Sequence, residues 1–470
     1  MKNRAKVGAT CLLMSMIQYV AVQHPTTASA ATSYLSSSTY YAYESFSSTG
    51  SWTKPFGVSS IDYLVVAGGG RGGGSQLSSH YAGGGGGGGG VRSGTISITQ
   101  STYTITVGTG QAAGCSQGRG GNSSIAGADI TTISATGGGS GSCNQNTGDG
   151  GGGLDANNGG SGGGGGAQTY ARNFGTGNLG GYSPVEGYAG GSAVSDAYNG
   201  NNQSGGGGGG AGQVGSNGTT GCGGKGGNGV ASSITGSSVT YGGGGGGGTR
   251  SSACGGTAGT GGGGTGGVNG GQGSAGTDGL GGGGGGTSLA NGNRGGNGVV
   301  IVRFLLTAPD APTLPALSDT GQSNTDDITS ATSFNLTGTA IGGSTIQIFD
   351  GATSVGSGCT ANVSTGVYSC ALSGVTAGTH NYTARASFNG GAAITSGTLT
   401  VIVDTTSPTI SPAAAITIPE NQTSVATISC NETCTLAMTS GVDSASVTFT
   451  PASGVLVLKV AADFEAPTDV

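Results

Sequence analysis

Charge is scarce in this 470-residue chain, where only 7% of residues are Asp, Glu, Lys or Arg. That scarcity argues against a nucleic-acid partner, which needs clustered cations, and the balance of 14 Lys and Arg against 20 Asp and Glu has the wrong sign. It is equally unlike the charge-rich composition of ordinary disordered chains. Proline is also rare, at 11 residues, and collagen is excluded although there are 111 glycines: the triple helix demands glycine strictly every third residue together with abundant proline. Histidine is nearly absent and no Cys-x-x-Cys pair occurs, so the case for a structural zinc site is weak.

What is present begins with a leader. Lys2, Arg4 and Lys6 precede an apolar stretch from Val7 to Val22, and Ala28-Ser29-Ala30 follows as a small-residue cleavage site, the pattern of a secretory signal peptide over residues 1–30. Loss of the leader leaves His80 and His380, and a net charge of −9 from 11 cations and 20 anions. It also leaves eight of the nine cysteines: Cys115, Cys143, Cys222, Cys254, Cys359, Cys370, Cys430 and Cys434. An even number behind a leader reads as disulfides in an oxidising compartment. Short loops and module boundaries favour pairing neighbours, although eight cysteines allow about 105 arrangements. The localisation expected is secreted or extracellular, with no transmembrane segment in the mature chain.

Composition divides the rest. Residues 31–306 form a glycine-rich head. It opens with Tyr-, Ser- and Thr-rich alternation that ends in Ile61-Asp62-Tyr63-Leu64-Val65-Val66, a strand pattern. Between Gly68 and Gly298 lie 93 of the 111 glycines, which rules out helices and ordinary side-chain packing. A disordered linker and a bundle of glycine helices in the polyproline II conformation both remain open. The bundle is favoured because runs of similar length recur (Gly83 to Gly90, Gly162 to Gly166, Gly205 to Gly210, Gly242 to Gly248, Gly281 to Gly286). Strand-like Tyr103-Thr104-Ile105-Thr106-Val107 interrupts the tract and Val299-Val300-Ile301-Val302 closes it. A polyproline II helix has no internal hydrogen bonds, so its amides must find partners on neighbouring runs, which only glycine lets approach.

Normal β character returns after Phe304. Residues 307–332, with Pro309, Pro312 and Pro315, read as a linker and the start of a first module. Residues 333–404 alternate as short strands with turns at Asp350-Gly351 and Asn389-Gly390, and suggest a β-sandwich. Residues 405–470 form a further unit that reads as incomplete. The fold class expected is all-β: a β-sandwich with an inserted polyglycine II bundle, then immunoglobulin-like sandwich modules.

Several stretches resemble known families. Gly50-Ser51-Trp52-Thr53-Lys54-Pro55, Ile61 to Gly70, Gly90 to Thr95 and Tyr103 to Gly108 resemble glycine-rich domains of bacterial surface proteins. The same order is similar to the glycine-rich domain of the anaplastic lymphoma kinase receptor family, and the long runs to phage tail-tip adhesins. That resemblance implies a β-sandwich whose inserted glycine-helix array binds a partner. Ser318 to Thr329, Leu336 to Ala340 and Val403 to Pro408 resemble the immunoglobulin-like modules of bacterial biofilm adhesins, from which Cys359 and Cys370 depart. Pro419-Glu420-Asn421 and Asp463-Phe464-Glu465 resemble parts of a cadherin-like repeat. The cadherin resemblance would place calcium on Asp404, Glu420, Asp463 and Glu465.

Catalytic signals are poor. Gly159-Gly160-Ser161-Gly162-Gly163 satisfies the nucleophile-elbow pattern, but glycine at this density matches it by chance, and Gly224-Lys225-Gly226 lacks the Ser or Thr of a phosphate loop. The expectation is a protein that is not an enzyme. Ala167 to Ser204 is glycine-poor within the tract and carries Tyr170, Arg172, Phe174, Tyr182, Tyr188 and Tyr198, the composition of a binding loop. The function expected is a surface adhesin or scaffold whose head recognises a cell-surface glycan or protein. A matrix or surface-layer component and an ice-binding protein are the alternatives; the periodic threonine that ice binding calls for is absent.

Overall fold

Alternating apolar and polar residues build the head's strands: β1 (Thr32–Ser36), β2 (Thr39–Phe46), β3 (Gly50–Thr53), β4 (Ser60–Val66), β5 (Val91–Ser97), β6 (Thr102–Thr106), β7 (Ser123–Gly127) and β8 (Ile130–Ala135). The short β9 (Cys143–Asn144), β10 (Gly153–Leu154), β11 (Val230–Ser232) and β12 (Val239–Tyr241) follow, and β13 (Val299–Leu305) ends the head. The computed structural model describes residues 30–461 except 75–80, 145–152, 155, 168–170, 196–201, 252–253, 270, 289–290, 321–322, 413–414, 433 and 440–443; no described residue is helical.

Two antiparallel sheets, ordered β1-β2-β13-β4-β5 and β3-β6-β7-β8, face each other. Phe46, Ile61, Val65, Val300, Val302 and Phe304 of the first close on Trp52, Tyr103, Ile105, Ile125 and Ile133 of the second. Burying each of these larger side chains contributes roughly 1.5–3 kcal/mol. The Trp52 ring lies 5.7 Å from Tyr103 and 6.5 Å from Phe304, and its indole N–H donates to Glu44 Oε1 at 3.0 Å.

The glycine segments leave this sandwich between β4 and β5, between β6 and β7, and between β8 and β13. Register places all these exits at one end of the sandwich: Val66 pairs with both Val91 and Val299, and Ser123 with Ala135. Strands thus fix both ends of every insertion.

The central run from Gly83 to Gly90 shows how the insertions hold together. Gly83, Gly86 and Gly89 donate to the carbonyls of Thr287, Gly284 and Gly281. Gly84, Gly87 and Gly90 donate to Ser142, Gly139 and Thr136, while Gly85 and Gly88 donate to Gly206 and Gly209. The carbonyls repeat the pattern: Gly83 and Gly86 accept from Gly248 and Gly245, Gly84 and Gly87 from Gly73 and Gly70, Gly85 and Gly88 from Gly164 and Ser161. Each neighbour is met every third residue and six segments surround the run, so no amide in it depends on its own segment. A Cβ at Gly85, Gly86 or Gly87 would fall on the carbonyl oxygen of Gly245, Gly70 or Ser161.

At the rim of the array side-chain amides replace the missing neighbour. Arg119-Gly-Gly-Asn122, Lys225-Gly-Gly-Asn228 and Arg294-Gly-Gly-Asn297 share one pattern, and the Oδ1 atoms of the three asparagines accept from Gly137, Thr260 and Gly110 amides at 2.9, 3.2 and 2.8 Å. The cation in each copy is exposed.

The next module contains β14 (Ile328–Thr329), β15 (Ser333–Thr339), β16 (Thr345–Asp350), β17 (Thr353–Thr360), β18 (Val367–Ser373), β19 (Gly378–Ser387), β20 (Ile394–Thr395) and β21 (Leu399–Val403). One sheet runs β14-β21-β19-β16-β17 with β20 beside β19, and β15 pairs β18 opposite it. Residues 307–332, read as a linker and the start of a first module, are bound into this module. Thr313 bridges Thr337, Leu314 is buried in the core, and β14 lies parallel to β21. The module also shares the head's core: Ile341 and Phe388 belong to it, and Phe388 meets Phe304 edge-on at 5.7 Å. Backbone bonds cross the same seam, from Phe56 to Val363 at 2.8 Å and from Ser33 to Phe388 at 3.2 Å. The last unit holds β22 (Ile410–Ser411), β23 (Ser424–Thr427), β24 (Ser429–Cys430), β25 (Val447–Thr450) and β26 (Val455–Leu458) in two small sheets.

His380 gives the second module a pH dependence. Burial lowers its affinity for a proton, but Asp350 at 2.7 Å and the Thr376 carbonyl at 2.9 Å outweigh that and raise its pKa. A raised imidazole pKa adds stability that is complete below the unfolded value of about 6.5 and is lost as pH rises through the folded one. Denaturant midpoints are expected to fall as pH rises above about 6.5, and His380→Ala to flatten that difference.

Candidate functional site

The tyrosine-bearing interval winds over the flank of the glycine array and is pinned there by two polar side chains. Asn178, at φ +52°, accepts from the Tyr182 amide at 3.1 Å and donates to its carbonyl at 3.0 Å, so the turn through Gly181 at φ +64° is closed from both sides. Glu186 is fully buried; one carboxylate oxygen accepts from Thr136 at 2.8 Å and the other from Gly180 at 3.2 Å. A buried carboxylate satisfied by backbone amides anchors the loop to the end of a glycine segment.

The expected residues divide accordingly. Phe174 and Tyr188 are exposed, beside Leu179 and Val185, while Arg172 is partly covered. Tyr182 is not free for a ligand on both faces, because the Arg92 guanidinium sits 4.0 Å from its ring centroid. Tyr170 and Tyr198 lie outside the described residues. A rigid loop that leaves large apolar side chains in water can bind a surface at little entropic cost.

Of the four acids expected at the junction, the structure describes Asp404 and Glu420. Asp404 accepts from the Thr406 amide at 2.9 Å, a bond that holds its carboxyl below the usual range, and its side-chain neighbour is Glu432. Burial and then the Asp404 charge push the Glu432 carboxyl up. Glu420 is exposed, and Asp463 and Glu465 lie outside the described residues. Among the described residues no three carboxylate, His or Cys groups are arranged to hold a metal, whereas calcium takes roughly six to eight oxygens.

The cysteines pair as neighbours: Cys115 with Cys143, Cys222 with Cys254, Cys359 with Cys370, and Cys430 with Cys434. Among the described residues no helix is long and apolar enough to cross a membrane.

Sequence reasoning missed a second assembly, on the outer face of the five-stranded sheet. Register lines up Thr32, Tyr43, Arg303, Asp62 and Thr95 as one row across all five strands. Arg303 donates to Asp62 through Nε and Nη2 at 3.0 and 2.7 Å and to Tyr34 through Nη1 at 3.0 Å, and it lies 4.5 Å from the Tyr41 ring centroid. The one available signal was a charged residue inside each of two otherwise apolar strands, Asp62 and Arg303.

Residues 44–305 match a family described as a glycine-rich domain, and residues 306–405 match a bacterial Ig-like domain. No curated protein matches the chain.

Proposed function

Because the chain belongs to the glycine-rich domain family and carries a bacterial Ig-like domain behind that region, we propose that it is a secreted, non-enzymatic surface adhesin whose head recognises a cell-surface glycan or protein. The β-modules act as its stalk. We read the threefold hydrogen-bond pattern of the head as a polyglycine II array, a platform stiff enough to present short loops. Four disulfides are compatible with an extracellular setting.

The observation that carries the reading is the pinned loop with Phe174, Leu179, Val185 and Tyr188 in solvent. Ordered apolar side chains on a chain with so little charge favour contact with another surface. The test is whole-cell binding by the full mature chain. Phe174→Ala with Tyr188→Ala is expected to lower binding at least about tenfold with an unchanged melting temperature, since both side chains are exposed. Binding that the double variant leaves intact would remove the loop from the proposal.

A further inference from the structure

The row through Arg303 and Asp62 sits at the edge of a covered region. The β11–β12 hairpin lays Ile234, Val239 and Tyr241 over Leu64, Val66, Val299 and Ile301, and so buries one half of the sheet's outer face. Its tip ends at Tyr34, whose hydroxyl donates to the Ile234 carbonyl at 2.9 Å. At the tip the outer face is partly open, with 21% of the Arg303 side chain and 28% of the Asp62 side chain in solvent. Cavities of about 350 and 230 Å³ open there, and Asp62 and Arg303 line both. The first also takes in Tyr41, Ser60 and Leu305, the second Ser93, Thr95 and Ser233.

We propose that this cleft is a binding site for a neutral saccharide, separate from the tyrosine loop. Three properties of the cleft select that ligand class. The guanidinium and carboxylate compensate each other, so a charged ligand of either sign would meet one repulsive partner. Arg303 has about five N–H donors, and its bonds to Asp62 and Tyr34 use three of them, leaving two. Asp62 accepts from Arg303 and from the Thr95 hydroxyl at 2.5 Å and keeps acceptor capacity beside those donors. A donor pair next to a carboxylate acceptor matches vicinal hydroxyls, each of which gives one hydrogen bond and takes another. Leu305, 49% exposed, supplies an apolar floor for the C–H face of a pyranose. Every polar group involved is already held by a neighbour in the sheet, so binding orders little that is not ordered beforehand.

The experiment prints neutral and carboxylated hexose oligosaccharides as an array and probes it with the full mature chain. Hits are followed by calorimetry on wild type, Arg303→Met, Ser60→Tyr and Phe174→Ala with Tyr188→Ala. Ser60 is exposed and bonds to nothing in the ion pair, so its tyrosine variant fills the cleft without disturbing the fold. The result expected is selective capture of neutral oligosaccharides, weakened at least about tenfold by Ser60→Tyr at an unchanged melting temperature and unaffected by the loop variant. No capture of any neutral oligosaccharide, a preference for the carboxylated ones, or binding indifferent to Ser60→Tyr would overturn the site. Loss in the loop variant alone would return recognition to the tyrosine loop.

Discussion

Gly87→Ala is expected to unfold the glycine-rich head, although the substitution adds one methyl group and asks nothing unusual of the backbone. The new Cβ would fall on the Ser161 carbonyl, and neither side can retreat, because Gly87 is bonded to Gly139 and Gly70 and Ser161 to Gly88 and Gly139. Overpacking in a side-chain core costs about 1–3 kcal/mol because rotamers yield. Here only backbone is present to yield, so the cost is expected at or above the upper end of that range. Gly397→Ala is the control, since its Cβ would meet only the Ala311 Cβ at 3.4 Å, and a change within about 0.5 kcal/mol is expected. Denaturant midpoints and amide exchange across residues 83–90 decide the matter. A Gly87→Ala protein with wild-type protection would mean that the segments are not in mutual contact.

Arg71→Ala is expected to produce the second large loss. This side chain is 1% exposed and ends among carbonyls, donating to Gly72 at 2.9 Å, to Gly114 at 2.8 Å and to Ser116. Gly114 and Ser116 flank Cys115, so the guanidinium clasps the disulfide loop to the first glycine segment. Desolvation pulls its pKa down to about 10, which leaves it charged at neutral pH. Among the described residues no carboxylate pairs with it. Truncation strands the buried Gly72 carbonyl at about 1–3 kcal/mol, removes two part-buried bonds and opens a cavity, for an expected loss of about 3 kcal/mol or more. Arg71→Lys is expected to recover little, because a single ammonium cannot reproduce the planar fork. Thermal denaturation together with the rate at which reductant opens Cys115–Cys143 reads both effects. An Arg71→Ala protein with wild-type midpoint and reduction rate would show that the carbonyls find other donors.

Much of this architecture could be read along the chain. The strands around Ile61 to Val66, Tyr103 to Val107 and Val299 to Val302 announced themselves by apolar pattern, because alternation and apolar runs are local consequences of which face a strand buries. Strand β17 went unrecognised because Gly356 and Gly358, both at positive φ, break its alternation. Strands β7 and β8 were hidden by the glycine on either side of them. Residues 307–332 read as a linker and the start of a module because proline content reports local stiffness, whereas the Thr313–Thr337 bridge, which joins residues far apart, lay beyond that reading. The Gly-Gly-Asn repeat was visible but mute until the three Asn side chains were seen capping amides at the rim.

The candidate loop was legible from tyrosine density alone, yet the Arg92 beneath Tyr182 was not, since the two residues meet only after β5 and the bundle flank come together. The row through Arg303 and Asp62 was even less accessible, because strands 241 residues apart in sequence set it. By itself the sequence determined composition, and with it the exclusion of helix and collagen, the neighbour pairing of cysteines as a preference, and the need of side-chain-free backbone for partners outside its own segment. Only the tertiary structure decided which segments those partners are, that six of them surround the central run, and which polar side chains share a face. The reason is physical: composition and alternation are properties of short stretches, while a hydrogen bond between distant backbones or a register across five strands exists only once the chain has closed on itself.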